Sequence, residues 1–478
     1  MATISTPGVG SGLDVKSIVT QLVNLEKAPL TLLQTKAASL QTKLSAFGRI
    51  KSELASLQDA AAALLDNSTW SSKTFTSNNT SAITGSSSAT ALSTTFSVQV
   101  SALAQAQSVR SVPLATGAAI GSAGRLDIQG GQWTGNSFGP GAAAAVSVNI
   151  AATDTLADIA TKINSSSAGL TAVVVRSGAE DRLMLRGNGT GDAAGFRIQA
   201  FDSSNAAITD GTTGVGKLAY DYGTTAFYGM TATLQAQNAS ISIDGIAVSS
   251  ATNTVADAVP GITLNLLATT TTAAQVTVGA DKLTAKTKIE AFQAAYNKIA
   301  ASLAELTKYD AAAKAGATLQ GDSTAVGLQN VLKSMLGAVG PVASTYKRLS
   351  DVGLELQRDG SLSVNASKLD AALGDLSNLK TFFETDSGSA TTNGMARRIR
   401  DFAKTAVGLD GSIENRNKAL TASISRNSKD QDTVSDRIAR TEARLYAQYS
   451  RLDANMASLT SLGNFVTQQI AQWNKANS

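Results

Sequence analysis

Residues 438–473 read IARTEARLYAQYSRLDANMASLTSLGNFVTQQIAQW. Ile438, Leu445, Leu452, Leu459, Val466 and Trp473 recur every seven residues, and Tyr449, Met456 and Ile470 follow three of them by four. Spacing of four then three places both rows on one seam of a helix. Arg437, Arg440, Glu442, Arg444, Arg451 and Asp453 take the other faces, and no proline interrupts the run from about Thr433 to Asn477. A helix of that length spans roughly 65 Å at about 1.5 Å per residue. With one apolar seam it is marginal alone and requires a partner helix. A core helix of a bundle is the plainer reading, and the sustained heptad repeat favours a coiled coil.

The start of the chain supplies a partner. Val15, Ile18, Leu22 and Leu25 make the apolar face of a first helix, with Asp14 or Ser11 as its N-cap. Pro29 breaks or kinks it. Beyond Pro29, Leu33, Leu40, Phe47, Leu54 and Ala61 again recur every seven, and Leu44, Leu57 and Leu64 fill the stripe, which ends near Asn67-Ser68. The two ends are therefore expected to meet, or to pair only on assembly, with the polar middle held away from them. The expected assembly interface is Ile18, Leu22 and Leu25 with Ile438, Leu445, Tyr449, Leu452, Met456, Leu459, Val466, Ile470 and Trp473.

Composition narrows the classes. The 478 residues are 43% apolar and 16% charged, with formal net charge +4. Lys and Arg are interspersed with acids and lack aromatic interleaving, which argues against nucleic acid. The chain has no cysteine and no histidine. That removes disulfides, thiolate or imidazole metal sites, Cys nucleophiles and Ser-His-Asp triads. No carboxylate pattern replaces them, so the chain reads as a non-enzyme with neither cofactor nor metal. No apolar run is long enough to span a membrane. The opening Met1-Ala2-Thr3-Ile4-Ser5-Thr6-Pro7 is not a cationic segment before an apolar core, so no cleaved signal peptide is expected.

The middle changes texture. Ser71 to Ser93 is Ser/Thr/Asn-rich with short β-like stretches, and Phe96-Ser97-Val98-Gln99-Val100 alternates as a strand. Ala102 to Ser111 reads either way. Pro113 to Ala145 is rich in Gly and Ala, with turn clusters at Gly130-Gly131 and Gly139-Pro140-Gly141. Val146 to Ile150 is a strand, and Asp154 or Thr155 caps a short helix bearing Leu156, Ile159 and Ile163. Strand-like runs follow at 170–176, 182–185 and 196–198. The loop Gly187 to Asp192 lacks the Lys-Ser/Thr ending of a phosphate-binding loop and reads as a β-turn, and Gly8 to Gly12 lacks a leading strand. Asp244-Gly245 signals a hairpin between Ile241-Ile243 and Ile246-Val248. Helices resume with Ile289, Phe292, Tyr296, Ile299, Leu303 and Leu306 three and four apart, then over 324–336, 368–373, 379–383 and 395–407, around a hairpin at 354–364. Leu409-Asp410-Gly411-Ser412 breaks the pattern, and polar helix runs from Ile413 into the final seam.

These readings give an α+β multidomain chain: terminal coiled-coil legs and a helical bundle, with inserted β-rich head domains. The expected division is a leg at 1–40, a helix of the helical domain at 41–70, and a β domain in two parts, 71–111 and 239–280. An outer lobe at 112–238 interrupts that domain. The helical domain follows at 281–430 and the C-terminal leg at 431–478.

Four stretches also resemble one family. They are Gly8-Val9-Gly10-Ser11-Gly12-Leu13-Asp14 through Leu30; Ile243-Asp244-Gly245-Ile246 with Asp257-Ala258-Val259-Pro260-Gly261-Ile262; Asp351-Val352-Gly353-Leu354 through Lys368-Leu369-Asp370; and Tyr446-Ala447-Gln448-Tyr449 through Met456. Together they resemble the bacterial flagellar filament cap family, also called hook-associated protein 2. Residues 155–196 resemble a small unit of flagellin-type proteins. The likeness departs after Met456, where Gly463 interrupts the second seam row at a cost of about 1 kcal/mol relative to Ala. The resemblance implies a homo-oligomeric plate at the filament tip, about five copies with four to six able to use one seam. It implies flagellin as the retained partner, whose polymerisation the plate promotes, and an export chaperone on the C-terminal helix. It implies an extracellular place on the flagellum, reached through the flagellar export channel, and an adhesive role for the exposed lobe is compatible with it. Another axial protein, such as flagellin or a junction protein, shares paired terminal helices but lacks the Gly-Ser-Gly-Leu-Asp opening. A surface adhesin is the other alternative.

Overall fold

The computed structural model describes residues 14–221, 229–312, 314–389 and 391–476. The chain forms two compact units, one running to Thr69 and resuming at Lys282, the other covering Trp70–Asp281. Three helices open it: α1 (Val15–Glu26), α2 (Ala28–Ala63) and α3 (Asn67–Ser71). Asp14 caps α1, its carboxylate accepting from the Ser17 N–H at 2.9 Å. Ser11, the alternative cap, and the Gly8–Gly12 loop lie outside the described residues. Pro29 sits in the first turn of α2, where a missing N–H costs no helical bond. It starts the second helix as much as it ends the first. The leg boundary expected at residue 40 falls inside α2, which runs unbroken to Ala63.

The middle unit holds two cores. β1 (Lys73–Ser77), β2 (Ile83–Ser87) and β3 (Thr94–Ala102) lead into an inserted lobe. The lobe comprises β4 (Ser108–Ser111), β5 (Leu114–Ala115), β6 (Gly124–Thr134), β7 (Ser137–Pro140), β8 (Val146–Ile150), α4 (Leu156–Asn164), β9 (Leu170–Ser177), β10 (Glu180–Gly187), β11 (Gly195–Asp202) and β12 (Met230–Leu234). β13 (Ala239–Ile243), β14 (Ile246–Ser250), β15 (Thr254–Val259), β16 (Ile262–Leu266) and β17 (Ala274–Ala280) then complete the interrupted layer. Its sheets run β1-β17-β3-β13-β14 and β15-β16-β2 around Val98, Val100, Ile241, Leu264 and Val276. β3 meets β13 with Val98 opposite Ile243, although 144 residues separate those two in sequence. Asp244 and Gly245 take positive φ, +46° and +85°, as a two-residue hairpin turn requires.

The lobe packs its own core around Leu126, Ile128, Ile159, Leu183, Phe196 and Tyr220. β4 pairs with β10 and β12, so the stretch 108–111 belongs to the lobe, not to the first part of the β domain. Gln107 ties this junction to β11. Its buried amide donates to the Phe196 carbonyl at 2.8 Å and accepts from the Phe196 N–H at 2.9 Å. The expected turn clusters are also different. Gly130 and Gly131 lie inside β6, with Gly131 opposite Pro140 of β7. A Cβ on Gly131 would stand 2.3 Å from the Gly139 carbonyl oxygen. These glycines permit close strand approach, the other meaning of glycine in a β pattern.

Thr155, not Asp154, caps α4 and forms a capping box with Asp158. Asp154 accepts instead from the Ala151 N–H at 2.8 Å and pairs with Lys162. Its hydrogen bond to Lys162 holds its carboxyl below the ordinary 3.8. The Arg176 guanidinium does the same for Asp181. Depressed folded values mean that these carboxylates stabilise the lobe above the ordinary pKa, and that the contribution disappears as pH falls through the lower folded value. Thermal melts of the lobe should hold constant from pH 7 to 5 and drop below pH 4. Asp181→Asn should flatten that drop.

The helical unit continues with α5 (Lys282–Thr307), β18 (Tyr309–Asp310), β19 (Ala315–Gly316), α6 (Ser323–Gly337), β20 (Leu354–Leu356), β21 (Leu362–Val364), α7 (Ala366–Ala372), α8 (Leu376–Glu384), α9 (Met395–Val407) and α10 (Ser412–Ala476). Phe47, Leu54 and Leu57 of α2, Phe292 and Ile299 of α5, Ile399 and Ala403 of α9 and Ile413 and Leu420 of α10 are buried. Tyr296 donates to the Gly360 carbonyl at 2.9 Å, and burial pushes its phenol up to about 12. α10 is 65 residues long and has no break at the expected boundary near 430. Arg416 fastens it to α6 through Asp322, at 3.0 and 2.6 Å from one carboxylate oxygen. Asp322 also caps α6, accepting from the Thr324 N–H at 3.0 Å. Its side chain is buried, so Asp322→Ala strands the arginine and uncaps the helix. A loss of about 3 kcal/mol in chemical denaturation of the helical unit is expected.

Candidate assembly surface

α1 lies along α10. Val15, Val19 and Val23 are buried together with Ile438, and Leu30, Val434, Leu445, Tyr446 and Tyr449 pack against them. The structure therefore brings three of the expected seam residues, Ile438, Leu445 and Tyr449, onto α1. Tyr446, absent from the heptad rows, packs there too.

The expected face of α1 needs correction. Ile18 is half-buried, Leu22 is 37% exposed and Leu25 is 75% exposed. The buried row is Val15, Val19 and Val23, a quarter turn or so away at about 3.6 residues per turn. Both rows are apolar.

Beyond Tyr449 the apolar side chains of the seam face water, although Asp453 among them is buried. Leu452, Met456, Val466 and Ile470 are all exposed, Leu459 is 61% exposed and Trp473 is 72% exposed. Leu462 and Phe465, outside the expected rows, are exposed as well. From Leu452 to Trp473 this apolar stripe extends for roughly 30 Å at about 1.5 Å per residue. Soluble monomers rarely expose a contiguous apolar patch of more than a few hundred Å². A Cβ at Gly463 would meet nothing, so the glycine there serves no close contact with the described residues. No helix among the described residues is long and apolar enough to cross a membrane. Nor do the described residues hold a group of three carboxylates able to ligate a metal.

The two halves of the surface separate by mutation. Val19→Asp should release α1 from α10 and expose residues 15–26 to fast amide exchange. Leu25→Asp should leave exchange in a monomer unchanged, because Leu25 already faces water.

Residues 11–107 match the flagellar hook-associated protein 2 N-terminus and residues 236–461 its C-terminus. Residues 127–189 match the flagellin hook IN motif. The flagellar hook-associated protein 2 of Escherichia coli is 32% identical, with 100% of both chains covered. That of Salmonella typhimurium is 30% identical over 100% of both. The B-type flagellar hook-associated protein 2 of Pseudomonas aeruginosa is 28% identical over 98% of each chain. The crystal structure of the flagellar cap protein FliD from Escherichia coli, spanning three domains, is similar with a TM-score of 0.57 at 29% identity. It covers 79% of this chain and 99% of that one. With terminal helices, inserted β-rich domains and two full-length relatives at 30% identity or above, the chain belongs to the flagellar hook-associated protein 2 family, the flagellar filament cap proteins.

Proposed function

We propose that this chain joins further copies of itself through the uncovered part of α10, and that the resulting plate at the filament tip retains exported flagellin and promotes its polymerisation. Five copies is the favoured number, with four to six able to use the same seam. One observation carries the reading: the seam that α1 covers as far as Tyr449 continues on the same helix with its apolar side chains, from Leu452 to Trp473, exposed. Burying a leucine fully contributes about 2 kcal/mol, so a handful of such side chains supplies association energy without any catalytic group. The same stripe needs cover before assembly, which suits an export chaperone on the C-terminal helix. Export without a cleaved signal, an extracellular site at the tip and an adhesive role for the lobe complete the proposal.

Cells lacking the gene should spill monomeric flagellin into the medium and carry bare hooks, read by immunoblot and electron microscopy. Normal filaments would overturn the retention reading. In complemented cells, Leu452→Asn with Leu459→Asn should weaken capping while the circular dichroism melt of the purified chain stays as in the wild type. Wild-type filament growth in that variant would separate the seam from capping.

A further inference from the structure

We propose that the free edge of β9, with the arginine-bearing outer face of its sheet, docks an extended segment of another protein that alternates acidic and apolar residues. The proposal does not rest on the capping role. β9 pairs on one side, with β10, from Leu170 opposite Gly187 to Ser177 opposite Glu180. Ala172 shows which backbone groups point the other way. Its N–H donates to Asn164 Oδ1 at 2.7 Å, and its carbonyl accepts from Asn164 Nδ2 at 2.8 Å. Strand alternation sends the backbone groups of Val174 and Arg176 in that same direction. β10 agrees from its far side. The Leu183 N–H donates to Ser111 Oγ and the Gly187 N–H to the Gln107 carbonyl, both at 2.9 Å, so the even-numbered residues of β10 are the ones that bond β9. Asn164 thus closes the edge at Ala172. Beyond it, no group among the described residues meets the outward N–H and C=O of Val174 and Arg176. An unpaired strand edge is a template for a further strand.

The outer face sets the chemistry of that strand. Val173 lies opposite Met184, Met184 opposite Arg110, and Val175 opposite Arg182. Val173 and Val175 are 45% and 46% exposed. Arg110 and Arg186 make no ion pair among the described residues, and Arg182 stands 3.8 Å from Glu180. Three guanidiniums thus face one carboxylate across an apolar strip, and arginine and methionine are favoured at protein interfaces. Arg182 and Arg186 would lie two strand spacings from an added strand, about 9.6 Å. Arginine and glutamate side chains close that span over the valines. The described edge strands of this chain carry at most one carboxylate each, which disfavours a second copy as the occupant.

The test uses the full-length protein and a fluorescein-labelled nonapeptide alternating valine and glutamate, read by fluorescence anisotropy. The glutamate peptide should bind roughly tenfold more tightly than the same peptide with lysine for glutamate. N-methylation of alternate residues in the peptide should abolish binding. Arg182→Glu with Arg186→Glu should reverse the preference, with an unchanged melt confirming the fold. Equal binding of both peptides, or undiminished binding of the N-methylated one, overturns the proposal. A change in oligomer size on sedimentation of the double variant would assign the edge to a second copy and overturn it equally.

Discussion

One helix carries two incompatible demands. The 65 residues of α10 share a single unbroken ladder of backbone hydrogen bonds, yet its first part is buried and its last part is not. Ile413 and Leu420 sit in the core beside α2 and α9, and Arg416 is held by Asp322. That anchorage fixes where the far end of the helix points. A helix isolated in water gains little from its own backbone bonds, so the exposed portion depends on propensity and on what covers its seam. Covering the stretch to Tyr449 takes α1. The apolar side chains from Leu452 to Trp473 are left exposed by the described residues.

Much of this was legible in the residues. The seven-residue steps from Ile438 marked the helix and two residues, Ile438 and Leu445, that meet α1, Asp14 located the start of α1, and the apolar track from Ile289 to Leu303 located the face of α5. Each of these signals is local, because one turn of helix decides it. What stayed hidden depends on neighbours distant in sequence. Val19 is buried with Ile438 while Leu22 faces water, a choice that depends on α10. Gly131 looks like a turn until Pro140 is placed across from it. Gln107 falls in a stretch that reads either way, and only the Phe196 backbone reveals it as a satisfied buried amide. The free edge of β9 has no sequence signature at all, since it consists of backbone groups left without partners among the described residues.

The interrupted β layer shows a second economy. β3 and β13 are adjacent, with Val98 opposite Ile243, so the lobe is inserted between neighbouring strands and leaves the first core closed. The lobe's own core is separate. Two cores that do not share side chains let the outer face of the lobe carry arginines and exposed valines without disturbing the layer it interrupts. The assembly seam on α10 and the open edge on β9 are thus different kinds of surface. One offers apolar side chains from a helix, and the other offers backbone hydrogen bonds from a strand.

The most direct measurement is the mass in solution, by light scattering, of the purified full-length chain and of a chain ending at Arg451. A ring of about five copies is expected for the full chain and a folded monomer, with the same melt, for the shortened one. A ring that survives removal of residues 452–478 would contradict it, and would place the contacts between copies elsewhere on the molecule.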